Sequence, residues 1–181
     1  MSRLLYTIGH STHPIGTFLS LLLQHEIAVL ADVRSFPGSR RWPQFNQDEL
    51  KVSLQESGIA YESLKLLGGR RHSSRQDSPH SAWQQAAFRS YADYADTTEF
   101  ADGLEQLSRL AKERRSAIMC AEGLWWQCHR RIIADQMTVL GWQVRHVMPN
   151  GKLTVHSLPD FARVSGGHII YDGRASDPVK L

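Results

Sequence analysis

Cysteine is scarce in this chain, with two among 181 residues. Two thiols cannot frame a disulfide-stapled fold, so apolar burial must hold the core, and a reducing, cytoplasmic compartment is expected. Long hydrophobic runs are missing too. His10, Pro14, Gln24, His25 and Glu26 break up the apolar residues near the start, which is not the pattern of a secretory leader. Leu19 to Leu23 is far too short to span a bilayer, so no membrane association is expected. Neither sign of charge dominates: the formal net charge is +3 and the pI about 9.0. That balance permits an anionic ligand without requiring nucleic acid. There is no internal repeat, and no G-x-G-x-x-G follows the first apolar run. The phosphatase and rhodanese loop, Cys, five residues, Arg, is absent as well. Trp126 and Ala134 occupy the arginine positions counted from Cys120 and Cys128.

What is present suits one globular domain, with 41% hydrophobic and 22% charged residues. Leu4 to Ile8 reads as a first strand ending in Gly9-His10-Ser11-Thr12. Pro14 suits the first turn of a helix whose apolar face is Phe18, Leu19, Leu22 and Leu23. Ile27 to Val33 is nearly continuous in apolar residues, as parallel strands buried on both faces are. Asn46 and Glu49 form a capping-box pattern for a helix ending at Gly58. Ile59 to Leu67 is a third strand or extended segment. Arg70 to Ser81 is polar and basic, and reads as a mobile surface loop, either a lid or a solvated insertion. Trp83 to Arg114 is predicted as two helices breaking between Thr97 and Gly103. Ala117-Ile118-Met119 is a short buried strand. From Ile132 a helical face follows, made of Ile132, Ile133, Met137 and Leu140 and closed by Gly141. Trp142 to Met148 is another strand, with Lys152 to His156 as its hairpin partner and an irregular tail from Ser157. This alternation predicts an α/β domain with a mostly parallel sheet covered on both faces, the first strand pairing with the Ile118 strand.

The chemistry is expected where strands end, because open α/β sheets bind ligands outside their carboxyl ends. Asp32, Arg34, His10, Cys120 and Glu122 converge there, with Cys128 and His129 across the rim. Asp32, near the end of a buried strand, needs a partner, and Arg34 or Arg130 can serve. Such a pair either belongs to a site or simply pins a loop. Cys128 is expected at or next to the first residue of a helix beginning near Gln127 or Cys128, which would lower its thiol pKa. Cys120 is either reactive or a small buried hydrophobe. Three readings compete. The first is a thiolate or acid–base site whose Arg34 and Arg130 hold an anionic group. The second is a metal site from Cys120, Cys128, His129 and a carboxylate. It is disfavoured because adjacent helical residues point about 100° apart, and no metal ligand is assigned. The third is a non-catalytic module for nucleic acid or a partner, using scattered arginines with Trp42, Trp125 and Trp126.

Several signatures line up in order. They are Thr7-Ile-Gly-His-Ser11, Asp32-Val-Arg-Ser35 with Pro37 and Ser39-Arg40, and Gln44-Phe45-Asn46. Gly58-Ile59 with Tyr61, Leu67-Gly-Gly69, and Cys120-Ala-Glu122 with Cys128-His-Arg130 follow. Together, from about Leu4 to about His156, they resemble the prokaryotic family catalogued as domain of unknown function 488. The resemblance implies a three-layer Rossmann-like α/β fold and supplies no reaction. The expected function is an enzyme acting on a phosphate-bearing or nucleotide-like substrate. Cys120, Glu122, Cys128 and Asp32 are its expected catalytic residues. His10, Ser11, Arg34, Ser39, Arg40, His129 and Arg130 are expected to bind substrate. No cofactor or oligomeric state is assignable.

Overall fold

The computed structural model describes residues 3–72 and 75–174. Five strands run parallel: β1 (Leu4–Gly9), β2 (Val29–Asp32), β3 (Ala60–Ser63), β4 (Ser116–Cys120) and β5 (Gln143–Val147). β6 (Leu153–Val155) adds an antiparallel edge beside β5, as the Pro149-Asn150-Gly151 turn signal predicts. The sheet order is β3-β2-β4-β1-β5-β6. The expected central pairing is present, with Tyr6 opposite Ala117 and Gly9 opposite Cys120. β2 and β4 are buried at every position, because helices cover both faces of their sheet.

Those helices divide by face. α1 (Ile15–Gln24) and α2 (Gln47–Glu56) bury Phe18, Leu22, Leu50 and Leu54 against Tyr6, Ile8, Leu30 and Met119. α3 (Ala86–Ala95), α4 (Thr98–Glu113) and α5 (Arg130–Val139) bury Tyr91, Phe100, Leu107, Ile133 and Met137 against Leu5, Ala31 and Ile118. The result is a Rossmann-like α/β fold. Among the described residues, no helix is long and apolar enough to cross a membrane.

Several local expectations are corrected. In α1 the inward positions are Phe18, Leu21 and Leu22, while Leu23 is exposed. Leu140 falls just after α5 and is exposed, because the chain turns at Gly141 with φ +84°, a left-handed conformation that glycine adopts without strain. The capping box does not form. Asn46 precedes α2, but its Oδ1 accepts the Ser39 backbone N–H at 2.6 Å instead of capping the helix. α5 starts at Arg130, later than expected, because a 3-10 turn at Trp125–Gln127 comes first.

The tail is not irregular throughout. β7 (Ala162–Ser165) and β8 (His168–Tyr171) pair as a separate antiparallel hairpin. Its two-residue loop, Gly166-Gly167, has φ of +57° and +83°, suited to the tight turns that match strand twist. Residues 175–181 of the tail and 73–74 of the Arg70 to Ser81 loop lie outside the described residues. The described ends of that loop are anchored. Arg71 stacks 3.8 Å from the Tyr94 ring centroid and donates to Gly68 O, and His80 is buried against Tyr171.

Candidate functional site

β2 and β4 are neighbours, yet α2 and α5, the helices that follow them, cover opposite faces of the sheet. The chain therefore diverges at their carboxyl ends and leaves a crevice. A cleft of about 540 Å³ opens there, lined by Arg34, Phe36, Arg70, Phe88, Tyr91, Cys120, Glu122, Cys128 and His129 among others. Asp32, Arg34, Cys120 and Glu122 all emerge at this one edge.

At its floor the two thiols meet. Cys120 Sγ lies 3.0 Å from Cys128 Sγ, and both cysteines are free and buried. Arg130, fully buried, donates from Nε to both sulfurs, at 2.9 Å to Cys120 and 3.2 Å to Cys128. The Arg130 backbone N–H, at the start of α5, also reaches the Cys128 sulfur. Burial by itself would push the Cys128 thiol up. The Cys120 hydrogen bond and the Arg130 charge outweigh it and bring the thiol down to about 6. Burial, reinforced by the bond to Cys128, pushes the Cys120 thiol well above its ordinary range. The two shifts run in opposite directions, so the pair releases one proton well before the other, with the Arg130 guanidinium beside the anion that results.

The loop that carries this pair crosses the end of β1 at Gly9. A Cβ there would stand 1.7 Å from Glu122 O, so the crossing requires glycine.

A family model described as domain of unknown function DUF488 matches residues 14–137, more than half the chain. The chain belongs to this family. The matched span is shorter at both ends than the motif resemblance, and comparison with curated proteins and with solved structures returns no match. The DUF488 span contains β2, β4 and the start of α5, and with them both thiols and Arg130.

In this DUF488 protein the residues singled out from sequence fall into three groups. Cys120, Glu122, Cys128, His129 and Arg34 line the cleft. Glu122 offers an exposed side chain, while its backbone carbonyl accepts from Arg130 Nη2. His129 Nε2 sits 2.8 Å from Val33 O, so that nitrogen carries the proton and Nδ1 is left as an acceptor. Burial brings the His129 imidazole down to about 4 and keeps it neutral. Turned toward Val33, His129 diverges from Cys128. Among the described residues no three His, Cys, Asp or Glu side chains gather in a metal-binding group.

A second group, Asp32, Arg130 and His10, supports the site without facing it, and Arg34 joins Asp32 to the cleft lining. Asp32 accepts from Arg34 Nε and Nη2 and from Tyr61 Oη, at 2.9, 2.6 and 2.8 Å. Arg34 spends Nη1 on Phe45 O. Asp32 is therefore fully engaged, which leaves it poorly placed to move a proton, and the pair pins the end of β2. Arg130 lies behind the sulfurs and is absent from the cleft lining, its guanidinium directed at Cys120, Cys128, Thr7 and the Glu122 carbonyl. His10, stacked 4.2 Å from Phe45, uses Nδ1 on Ser11 O, and burial brings it down to about 4.

The third group lies outside the cleft lining. Ser11 donates its backbone N–H to Ala121 O, and Ser39 Oγ accepts from Trp42 N. Arg40 is exposed.

Sequence reasoning missed a buried polar chain behind the thiols. Arg130 Nη1 is 3.3 Å from Thr7 Oγ1, which is 2.7 Å from His146 Nδ1. His146 Nε2 is 2.9 Å from His156 Nδ1, and His156 Nε2 is 2.7 Å from Asp135 Oδ1. Tyr171, from β8, donates to Asp135 Oδ2 at 2.7 Å. With both imidazoles neutral, one proton assignment satisfies every link. A carboxylate at Asp135 only accepts, so His156 donates from Nε2, His146 from Nε2 and Thr7 from its hydroxyl, which accepts from Arg130. Burial holds the His146 imidazole down at about 2, consistent with a neutral ring. Trp125 lies flat on it, ring centroids 4.1 Å apart and planes at 5°. The signal in sequence was slight: β1 and β5 each carry a polar residue at a buried position, Thr7 and His146.

Proposed function

We propose that this DUF488 protein is an enzyme in which the Cys128 thiolate attacks a nucleotide-like, phosphate-bearing substrate held in the cleft. The observation that carries this is the Arg130-paired sulfur couple opening onto a ligand-sized cavity. A volume of about 540 Å³ falls within the range of small-molecule sites. Phe36 and Phe88 offer aromatic faces for a planar base, and Arg70 stands over the exposed Phe36 ring at 5.5 Å, available to a phosphate. Cys128 is the nucleophile, Cys120 its hydrogen-bond donor, and Glu122 the exposed carboxylate for proton handling at the cleft wall. A reducing, cytoplasmic compartment fits this reading, because both thiols must stay reduced.

The alternative is a non-catalytic module for nucleic acid or a partner. It is favoured by one feature, the exposed Phe36–Arg70 stack with Arg41 similarly placed 5.5 Å over Trp42.

Iodoacetamide alkylation of the folded protein near neutral pH separates the two. The enzyme reading expects fast labelling of Cys128, slowed by a nucleoside monophosphate more than by inorganic phosphate, with the protection lost in Arg70→Ala. If Cys128 labels only after unfolding, the nucleophile fails and the binding module stands. If it labels fast and the nucleotide gives no protection, the substrate class is wrong.

A further inference from the structure

We infer that Cys128 and Cys120 also form a reversible dithiol–disulfide couple, oxidised by a hydroperoxide that enters the cleft. The inference rests on the Cys128 thiolate of the reading above, but not on its substrate. The nucleophile described there uses one sulfur. The structure supplies two, 3.0 Å apart, both lining the same cavity.

The couple divides the labour by charge. Cys128 Sγ, as thiolate, attacks the distal peroxide oxygen. An S–O bond forms, the O–O bond breaks, and the alkoxide or hydroxide leaves and takes a proton from water in the cleft. Cys128 is then a neutral sulfenic acid. The anion that kept Cys120 protonated is gone, and Arg130 Nε, 2.9 Å from Cys120 Sγ, has no competing sulfur anion to hold. Cys120 gives up its proton and attacks Cys128 Sγ. The S–S bond forms, the S–O bond breaks, and the departing hydroxide leaves as water with the Cys120 proton. Counting the proton that Cys128 released on ionising, which neutralises the hydroxide left in the water, two thiols and one hydroperoxide become a disulfide, an alcohol and a water. When the peroxide is hydrogen peroxide, both oxygen products are water.

Arg130 also sets how easily the bond is reversed. It is fully buried, and in the disulfide its charge loses the thiolate beside it. Its remaining anionic partner is Asp135, four hydrogen bonds away through Thr7, His146 and His156. A buried cation left without its counter-charge destabilises the oxidised form, as in dithiols whose reduced state is favoured. The disulfide is therefore an oxidising one, which a low-molecular-weight thiol reduces readily.

The full, reduced chain is treated with one equivalent of hydrogen peroxide near neutral pH and read by intact mass and free-thiol titration. The expected result is loss of two hydrogens with both thiols disappearing together, a Cys120–Cys128 link within one chain, and full reversal by glutathione. Cys120→Ser gains one oxygen and becomes reactive to dimedone, while Cys128→Ser takes up none at this dose. Overoxidation of Cys128 in the wild type with Cys120 left free, or a link between two chains, overturns the couple. Fast iodoacetamide labelling of Cys128 alongside either result means that the couple alone has failed. Slow labelling of Cys128 together with inertness to peroxide overturns both readings.

Discussion

Arg34 closes on Asp32 through Nε and Nη2, 2.9 and 2.6 Å from the two carboxylate oxygens, in a pair almost wholly removed from solvent. Tyr61 adds a bond from β3, so the end of β2 and the neighbouring strand are tied to one carboxylate. Breaking such a pair from one side strands a buried charge. Asp32→Asn should therefore cost about 3–5 kcal/mol of stability. Tyr61→Phe, which removes one bond to a charged group, should cost about 1.5–3 kcal/mol. Urea unfolding measures both. Equal, small losses would show that Asp32 is not the anchor the geometry makes it.

The thiol pair gives stability a pH dependence whose sign follows from proton counts. In the folded protein Cys128 loses its proton near pH 6, whereas an unfolded thiol keeps it to about 8.5. Between those values the unfolded chain binds more protons, so stability rises with pH. Above about 8.5 the unfolded chain releases two protons while burial holds the one on Cys120, so stability falls again. The alkylation rate of Cys128 should climb through about pH 6 and level off, and Cys120→Ala, which removes a hydrogen bond to the thiolate, should move that midpoint upward. Urea unfolding at several pH values in wild type and Cys128→Ala tests the stability arm. A profile that does not flatten in the variant would remove the assignment.

The chain behind the thiols should behave as one network. Thr7→Val has nearly the wild-type shape but breaks the link between Arg130 and His146. It leaves a guanidinium N–H and an imidazole nitrogen buried without partners, at a cost of about 1–3 kcal/mol. Tyr171→Phe removes the far end at Asp135. In a double-mutant cycle on unfolding free energy, the two losses should couple beyond simple addition. Strict additivity would mean that the links act independently.

Gly69→Ala tests how the cleft wall is held. An added Cβ would lie 2.3 Å from His129 Nδ1, so the ring must leave the Val33 carbonyl or the loop must shift. A loss of about 1–3 kcal/mol is expected, together with altered access to Cys128. Unchanged stability and unchanged alkylation would show that the ring moves aside freely.

Much of the site was legible because its residues sit in short, local patterns. Cys120, Glu122, Cys128 and His129 share one strand-to-helix junction, and parallel strands must deliver their ends to one edge. What was not legible was orientation. Arg130 and His129 are neighbours in sequence, yet one is fully buried behind the sulfurs and the other lines the cleft. Glu49 and Asn46 had the right spacing for a capping box, but Ser39 took the Asn46 carbonyl first. The Gly166-Gly167 turn did carry a hairpin signal. The four-residue strands on either side gave it little periodicity to stand on.

By itself the sequence determined the strands of the main sheet and the helices around it, the edge at which the polar residues gather, and the thiol-bearing junction, since these follow from apolar periodicity and chain direction. Tertiary structure alone decided which polar groups spend themselves on one another. Thr7, Asp135, His146, His156 and Tyr171 come from five separate elements or segments, and no local pattern relates them. They form one buried chain because folding removes them from water together, and a buried polar group must find its partner among whatever the packing brings within reach.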